Sequence, residues 1–431
     1  MIAIKNILVL NNFEEPQKCK KSDILIENNI ITKVCDAGQL KTPEGAIVID
    51  GTKKAIMPGL INTHTHIPMT IFRGVADDLP LMDWLGNHIW PLEAKLDDEI
   101  IYAGTMLGCM EMIKTGTVAF NDMYFFTDSI IKAVETANMR CTLSYGLIDL
   151  CDEEKKQTEI RAQKDVLNSL EKAHNRNGLI NAAVGPHAPY TCSADLLQHA
   201  HELAKEHNIP MNIHMNETED EIRQIKEKTG MRPFEFLNSL GVFDDINVVA
   251  AHCVHLSDNE INILKDKNIY VSHNPLSNLK LGSGIAPIPT YLKNNINVTL
   301  GTDGCASNNN LNLFESIKAC ATVHKGVQQD STVVKVSEVL NMATKNASKA
   351  LNYNSGEIKE GMWADLVILD LKNPTLIPNK NIISHLAYSF NGVVETVIIN
   401  GKIVLENGKM TTMDEDKVYE KAEEAYLNLV N

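Results

Sequence analysis

Eight short apolar runs recur through the middle of the chain: Leu60–Asn62, Thr117–Asn121, Cys141–Tyr145, Asn181–Val184, Pro210–Ile213, Val248–Ala251, Ile269–Ser272 and Val298–Leu300. Between them, stretches such as Ile130–Asn138, Gln163–Asn175 and Ala194–Asn208 carry apolar residues at helical spacing. Short apolar strands that alternate with helices predict parallel strands joined by crossovers. Eight of them predict an α/β fold of the (β/α)₈ TIM-barrel type. A doubly wound open sheet is the alternative, but no Gly-x-Gly-x-x-Gly follows any of the runs.

The 431 residues exceed a bare barrel of about 250. The surplus lies at both ends, and the ends share a strand-rich style that the middle lacks. Ile2–Leu10, Asp23–Val34 and Ala46–Asp50 open the chain, and Ala364–Asp370 and Val394–Val404 come near its close. Asn400-Gly401, between two apolar runs, is a strong hairpin signal. Residues 1–57 plus 361–413 therefore form one predicted discontinuous domain, and 58–360 form the barrel. Residues 414–431 form a C-terminal helix with Val418, Ala422, Ala425 and Leu429 on one face.

Composition narrows the function. Lys and Arg number 40 against 55 Asp and Glu, a formal net charge of −15. So acidic a chain repels nucleic acid and anionic membrane. No run of 18 apolar residues occurs, so no transmembrane helix is expected. The first residues read as a strand and not as a signal peptide. The nine cysteines are scattered, and none stands in Cys-x-x-Cys. That suits reduced thiols and a cytoplasmic location, and excludes the Pro-Cys-x-x-Cys zinc site of nucleic-acid deaminases.

Metal-type residues stand where several predicted strands end. His64 and His66 follow the first, and residues two apart on an extended chain share a face. His-x-His is weak alone, since roughly 0.5 such pairs arise by chance at this histidine content. His199-Ala200-His201 is an internal control: on a helix, residues two apart diverge. His187 follows the fourth strand, His214 and Glu217 the fifth, His252 the sixth and Asp303 the eighth. Barrel enzymes take their catalytic residues from such ends. Three histidines and an aspartate suit Zn²⁺ or Fe²⁺, and a position left to water would be reactive.

The motifs Met57–His66, Arg73-Gly74, Trp84-Leu85, Gly185–Pro189, His214–Glu217, Ala251-His252, Ser272–Pro275 and Gly301–Gly304 span the predicted barrel. On these the chain resembles the amidohydrolase superfamily, in the branch of 5′-methylthioadenosine/S-adenosylhomocysteine deaminases. The resemblance implies a small β-sandwich built from both termini. It implies one divalent metal, Zn²⁺ or alternatively Fe²⁺, held by His64, His66, His214 and Asp303. No lysine ends the fourth strand, so the second metal of many superfamily members is not expected. Glu217 would protonate the purine at N1, His252 would polarise the attacking water and Asp303 would accept its proton. A metal-bound hydroxide would then add at C6 and ammonia would leave, giving the inosine analogue.

Glu93 matches a ribose-hydroxyl binder and His187 a substrate-contacting histidine, whereas His273, Cys253 and Cys305 read as structural. Trp84 and Trp90 fit either an apolar substrate pocket or core packing. The expected partner is a small nucleoside: 5′-methylthioadenosine, S-adenosylhomocysteine, adenosine or 5′-deoxyadenosine. A homo-oligomer is expected. Guanine, pterin or triazine aminohydrolases are the rival enzymes, and a non-catalytic barrel is the rival outside catalysis. One departure bears on the substrate. Tyr145 stands where relatives carry an arginine associated with the carboxylate of S-adenosylhomocysteine. Arg161 matches that arginine only loosely and reads as a surface residue. Loss of the cation predicts a preference for substrates without that carboxylate.

Overall fold

Each of the eight apolar runs becomes a strand in the computed structural model, which describes residues 1–79 and 83–430. Residues 80–82 of the predicted barrel segment, and Asn431 of the predicted C-terminal helix segment, lie outside the described residues. The strands are β1 (Leu60–Thr65), β2 (Thr117–Tyr124), β3 (Arg140–Leu147), β4 (Ile180–Ala182), β5 (Met211–Met215), β6 (Val248–His252), β7 (Ile269–His273) and β8 (Asn297–Leu300). β1 to β4 pair consecutively in parallel, and so do β5 to β8.

Hydrogen bonds join the two sets at both edges. Asn212 N donates to the Val184 carbonyl at 2.8 Å, and Thr63 Oγ1 donates to the Leu300 carbonyl at 2.9 Å. The architecture is mixed α/β around a curled parallel sheet. Burial on both faces accounts for continuous apolar runs in place of alternation, and every residue of β2 is buried. Ser193, Thr218 and Ser257 cap the helices Ala194–His207, Glu219–Thr229 and Asp258–Asp266 by accepting main-chain N–H groups. These caps fix where the chain turns after β4, β5 and β6, close to the candidate residues.

Both chain ends enter one nine-stranded sheet. Strand Lys54–Pro58 joins them, pairing in parallel with Ile2–Val9 and antiparallel with Leu366–Asp370. Its apolar run is only Ala55-Ile56-Met57, too short to read as a strand in the sequence. Side chains alternate between two cores, as the period of a strand requires. Ile4, Ile24, Ile56, Leu366, Ile368 and Ile398 face one another, while Val367, Leu369, Val397 and Ile399 face the main core. Arg140 ties this sheet to β3. Its guanidinium donates to Asp365 at 2.7 Å, to the Gly178 carbonyl at 3.0 Å and to Asn400 at 2.9 Å, and lies over the Trp363 ring. Helix Glu415–Val430 buries Val418, Ala422, Ala425 and Leu429. Among the described residues no helix is long and apolar enough to cross a membrane.

Candidate active site

β1, β5 and the loop after β8 bring four donors together. The ligand atoms of His64, His66 and His214 lie within 4.8 Å of one another, as do those of His64, His252 and Asp303. Asp303 Oδ1 is 3.5 Å from His64 Nε2 and 3.4 Å from His66 Nε2.

Tautomers decide what this cluster can hold. His66 Nδ1 lies 2.7 Å from the Met123 carbonyl, and His214 Nδ1 lies 2.7 Å from the His187 carbonyl. A carbonyl only accepts, so both Nδ1 atoms carry the proton and both Nε2 atoms present lone pairs. Those two lone pairs face each other at 3.3 Å. Neutral imidazoles so arranged repel, and a cation between them reverses the sign. Two nitrogens each about 2.05 Å from one tetrahedral ion would lie about 3.3 Å apart. His64 Nε2 is also buried without a partner. The carbonyl bonds are the usual outer support of metal-binding imidazoles. The donor set therefore fits a divalent ion, and the residues that would hold it are His64, His66, His214 and Asp303.

The backbone is strained where these groups are aimed. His252 has φ 71° and Asp303 φ 64°, a region that costs a side-chain-bearing residue about 1–3 kcal/mol. Main-chain bonds hold them there: Asp303 N donates to the His64 carbonyl at 2.9 Å, and Cys253 N donates to the Met215 carbonyl at 2.9 Å. Burial pushes His64 down to about 4 and His187 down to about 3, so both rings are neutral near pH 7. Burial works against ionised Asp303, but the neighbouring His64 ring and the other surrounding imidazoles hold its carboxyl well below the usual range. Burial likewise opposes a charged His252, yet the Glu217 and Asp303 carboxylates raise it.

A second group, His273, Cys320 and His324, is also buried with ligand atoms close together. Its chemistry differs. His273 Nδ1 has no partner, so the proton is free to sit on Nε2 and be donated to His324 Nε2, 3.3 Å away. A neutral donor–acceptor pair satisfies that contact without a cation. His199 and His201 diverge on their helix around buried Ala200, and His201 bonds the Asp244 carbonyl.

Comparison with known proteins gives the lineage. The profile described as the amidohydrolase family matches residues 55–404. The chain belongs to the amidohydrolase family. A 5′-deoxyadenosine deaminase of Methanococcus maripaludis strain C6 is 59% identical over 413 residues, 96% of this chain and 97% of the relative. One from Methanocaldococcus jannaschii is 58% identical over 428 residues, 99% of each chain. An adenosine deaminase of Xanthomonas campestris, crystallised with zinc bound, superposes with a TM-score of 0.91 at 31% identity, over 99% of this chain and 98% of that one.

In this amidohydrolase the donor cluster opens into a cleft of about 820 Å³, counted to its open mouth. His66, His214, His252, Asp303 and Glu217 belong to its polar lining, while Trp84, Trp90, Phe125, Ile148 and Leu281 form apolar walls. Trp84 is buried and Trp90 is 49% exposed. Glu93 and His187 also reach the cleft. Glu93 is half-buried and not a free helix-start carboxylate. It accepts a hydrogen bond from Tyr124 OH at 2.7 Å, and burial raises its carboxyl above the ordinary range. His187 Nδ1 contacts Thr191 Oγ1 at 2.9 Å. Neither Lys nor Arg is among the described residues that line the cleft. Tyr145 packs edge-on against Phe125, and Arg161 is exposed on helix Glu153–Asn177.

Sequence reasoning missed the residues that hold these groups. Asn278 Oδ1 lies 2.8 Å from His252 Nδ1, and Ser283 Oγ donates to Glu217 Oε1 at 2.9 Å. Ser277 and Ser307 donate to Asp303 Oδ2 at 2.6 and 2.8 Å. Glu221 accepts the main-chain N–H groups of Asn216 and Glu217, and burial pushes its carboxyl up to about 7. The one available signal was the density of Ser and Asn in Asn274–Ser283 and Ser307–Asn310, just past two strand ends.

Proposed function

We propose that this chain hydrolyses the C6 amino group of an adenine nucleoside, releasing ammonia and the inosine analogue, and that 5′-deoxyadenosine is the preferred substrate. The observation that carries this reading is the placement of Glu217 and His252 beside the three imidazoles and Asp303, at the floor of an apolar cleft. When bound, one divalent ion supplies Lewis acidity and an ionised water. Three nitrogen donors and one oxygen favour zinc, with Fe²⁺ the alternative.

The protein's own groups do the rest. Glu217 gives a proton to N1, which makes C6 electrophilic. His252, fixed by Asn278, orients and polarises the attacking water, and Asp303 accepts its proton. Water adds at C6, the tetrahedral carbon collapses, and the amino group leaves as ammonia after protonation. Glu93 binds the ribose hydroxyls and His187 contacts the substrate. The apolar walls take the adenine and an uncharged 5′ group, and no described cation in the cleft offers a partner to an amino-acid carboxylate. The relatives named 5′-deoxyadenosine deaminases agree with that expectation.

The supporting architecture we infer is a closed (β/α)₈ barrel over residues 58–360, a β-sandwich from 1–57 and 361–413, and a terminal helix from 414. Ammonia release tests the reaction. On 5′-deoxyadenosine, 5′-methylthioadenosine, adenosine and S-adenosylhomocysteine, the first should show the highest kcat/KM and the last the lowest. Highest kcat/KM on S-adenosylhomocysteine overturns the specificity. Turnover confined to guanine, a pterin or a triazine overturns the nucleoside reading.

A further inference from the structure

The geometry points to Ser283 as a positioning residue for Glu217, a role that rests on the deaminase reading above. The 2.9 Å contact runs from Ser283 Oγ–H to Glu217 Oε1, which accepts it and leaves Oε2 to carry the acid proton. Ser283 is 6% exposed, and it is not among the described residues that line the cleft, whereas Glu217 is. Its hydroxyl therefore acts through the carboxylate and not on the substrate.

Ser283 is itself held from several sides. His255 Nε2 lies 2.7 Å from the Ser283 carbonyl, and His255 Nδ1 lies 3.1 Å from Glu219 Oε1. The His255 carbonyl accepts from Asn216 Nδ2 at 3.0 Å, next to Glu217 in the chain. Gly284 has φ 122°, and a Cβ there would stand 3.0 Å from Val254 Cγ1, so the turn after Ser283 is built for glycine. The loops after β5, β6 and β7 thus form one frame around the carboxyl group.

Within that frame the two carboxylate oxygens differ. Oε1 is occupied by Ser283, and Oε2 lies 3.8 Å from His252 Nε2. Oε2 is the oxygen free to hand a proton to the purine. Without the hydroxyl the carboxyl group rotates about its last bond, and the two oxygens exchange places. A hydrogen bond of this kind makes about a tenfold difference to how often the reactive arrangement is populated.

The test uses the metal-loaded full-length enzyme with 5′-deoxyadenosine. Ser283→Ala should lower kcat about tenfold, with KM within about twofold of wild type and metal content unchanged. Ser283→Thr, which keeps the hydroxyl, should recover most of the lost kcat. Wild-type kcat in Ser283→Ala overturns the role. So does a loss of metal or a rise in KM that matches the fall in kcat, since either marks general damage to the site. Equal losses in the Ala and Thr variants overturn it as well. A wild type that deaminates no adenine nucleoside overturns the reaction and, with it, this role.

Discussion

At the scale of single residues, charge and proton position separate binding from chemistry. His64 is a neutral ring with an unpartnered buried Nε2, so its function in the proposed site is to donate a lone pair. Glu217 lines the cleft with Oε2 3.8 Å from His252 Nε2, and its function in the proposed chemistry is to move a proton. The two roles predict opposite phenotypes. Glu217→Gln keeps the shape and loses the proton. It should retain about one metal equivalent and lose 10²–10⁴ in kcat, a span of about that size for one acid–base group. His64→Ala should instead lose metal. Metal analysis beside the ammonia assay checks both, and normal turnover in Glu217→Gln would contradict the proposed chemistry. The donors were legible because each stands one to four positions past an apolar run. Ser283 and Asn278 were not. They lie 66 and 26 residues from the groups they hold, Ser283 in an irregular stretch and Asn278 on the short helix Pro275–Lys280, and nothing periodic marks them.

At the scale of elements, legibility followed the strength of local physics. Asn400-Gly401 has φ 53° and 71°, the pair of left-handed residues that a tight hairpin needs, and it joins Thr396–Ile399 to Lys402–Glu406. The C-terminal helix was equally clear, because its four apolar positions recur on one face. Lys54–Pro58 was not, since three apolar residues do not make a pattern, and its strand character comes from partners at both chain ends. Nor was the π-helical turn Trp84–Ile89, which sets two cleft residues and has no sequence signature. The hairpin also serves tertiary contact: a Cβ at Gly401 would fall 1.8 Å from the Asn28 carbonyl oxygen. Gly401→Ala should therefore cost roughly 2–4 kcal/mol, well above the usual surface substitution. Urea unfolding of the purified variant measures this, and a shift within about 0.5 kcal/mol would show that the turn tolerates a side chain.

At the scale of the whole molecule, the proposed ligands come from widely separated parts of the chain. His64 belongs to the first strand of the curled sheet and His66 directly follows it, while His214 belongs to the fifth and Asp303 to the loop after the eighth. Hydrogen bonds at the two sheet edges join the two sets of strands, but the strand ends converge on imidazoles whose lone pairs oppose one another. An ion held there would do more than supply chemistry: it would turn a repulsive convergence into an attractive one, and link the ends of β1, β5 and β8. Binding only to the folded chain, an ion at a thousand times its Kd adds about 4 kcal/mol of stability. Chelation should accordingly lower Tm by several degrees, and Zn²⁺ should restore it. His64→Ala should start from the lowered Tm and respond to neither chelator nor metal. Calorimetry with and without chelator makes the comparison. Identical melting of the chelated and metal-loaded protein would mean that the strand ends keep their places unaided, and that the facing imidazoles are held apart by the sheet alone.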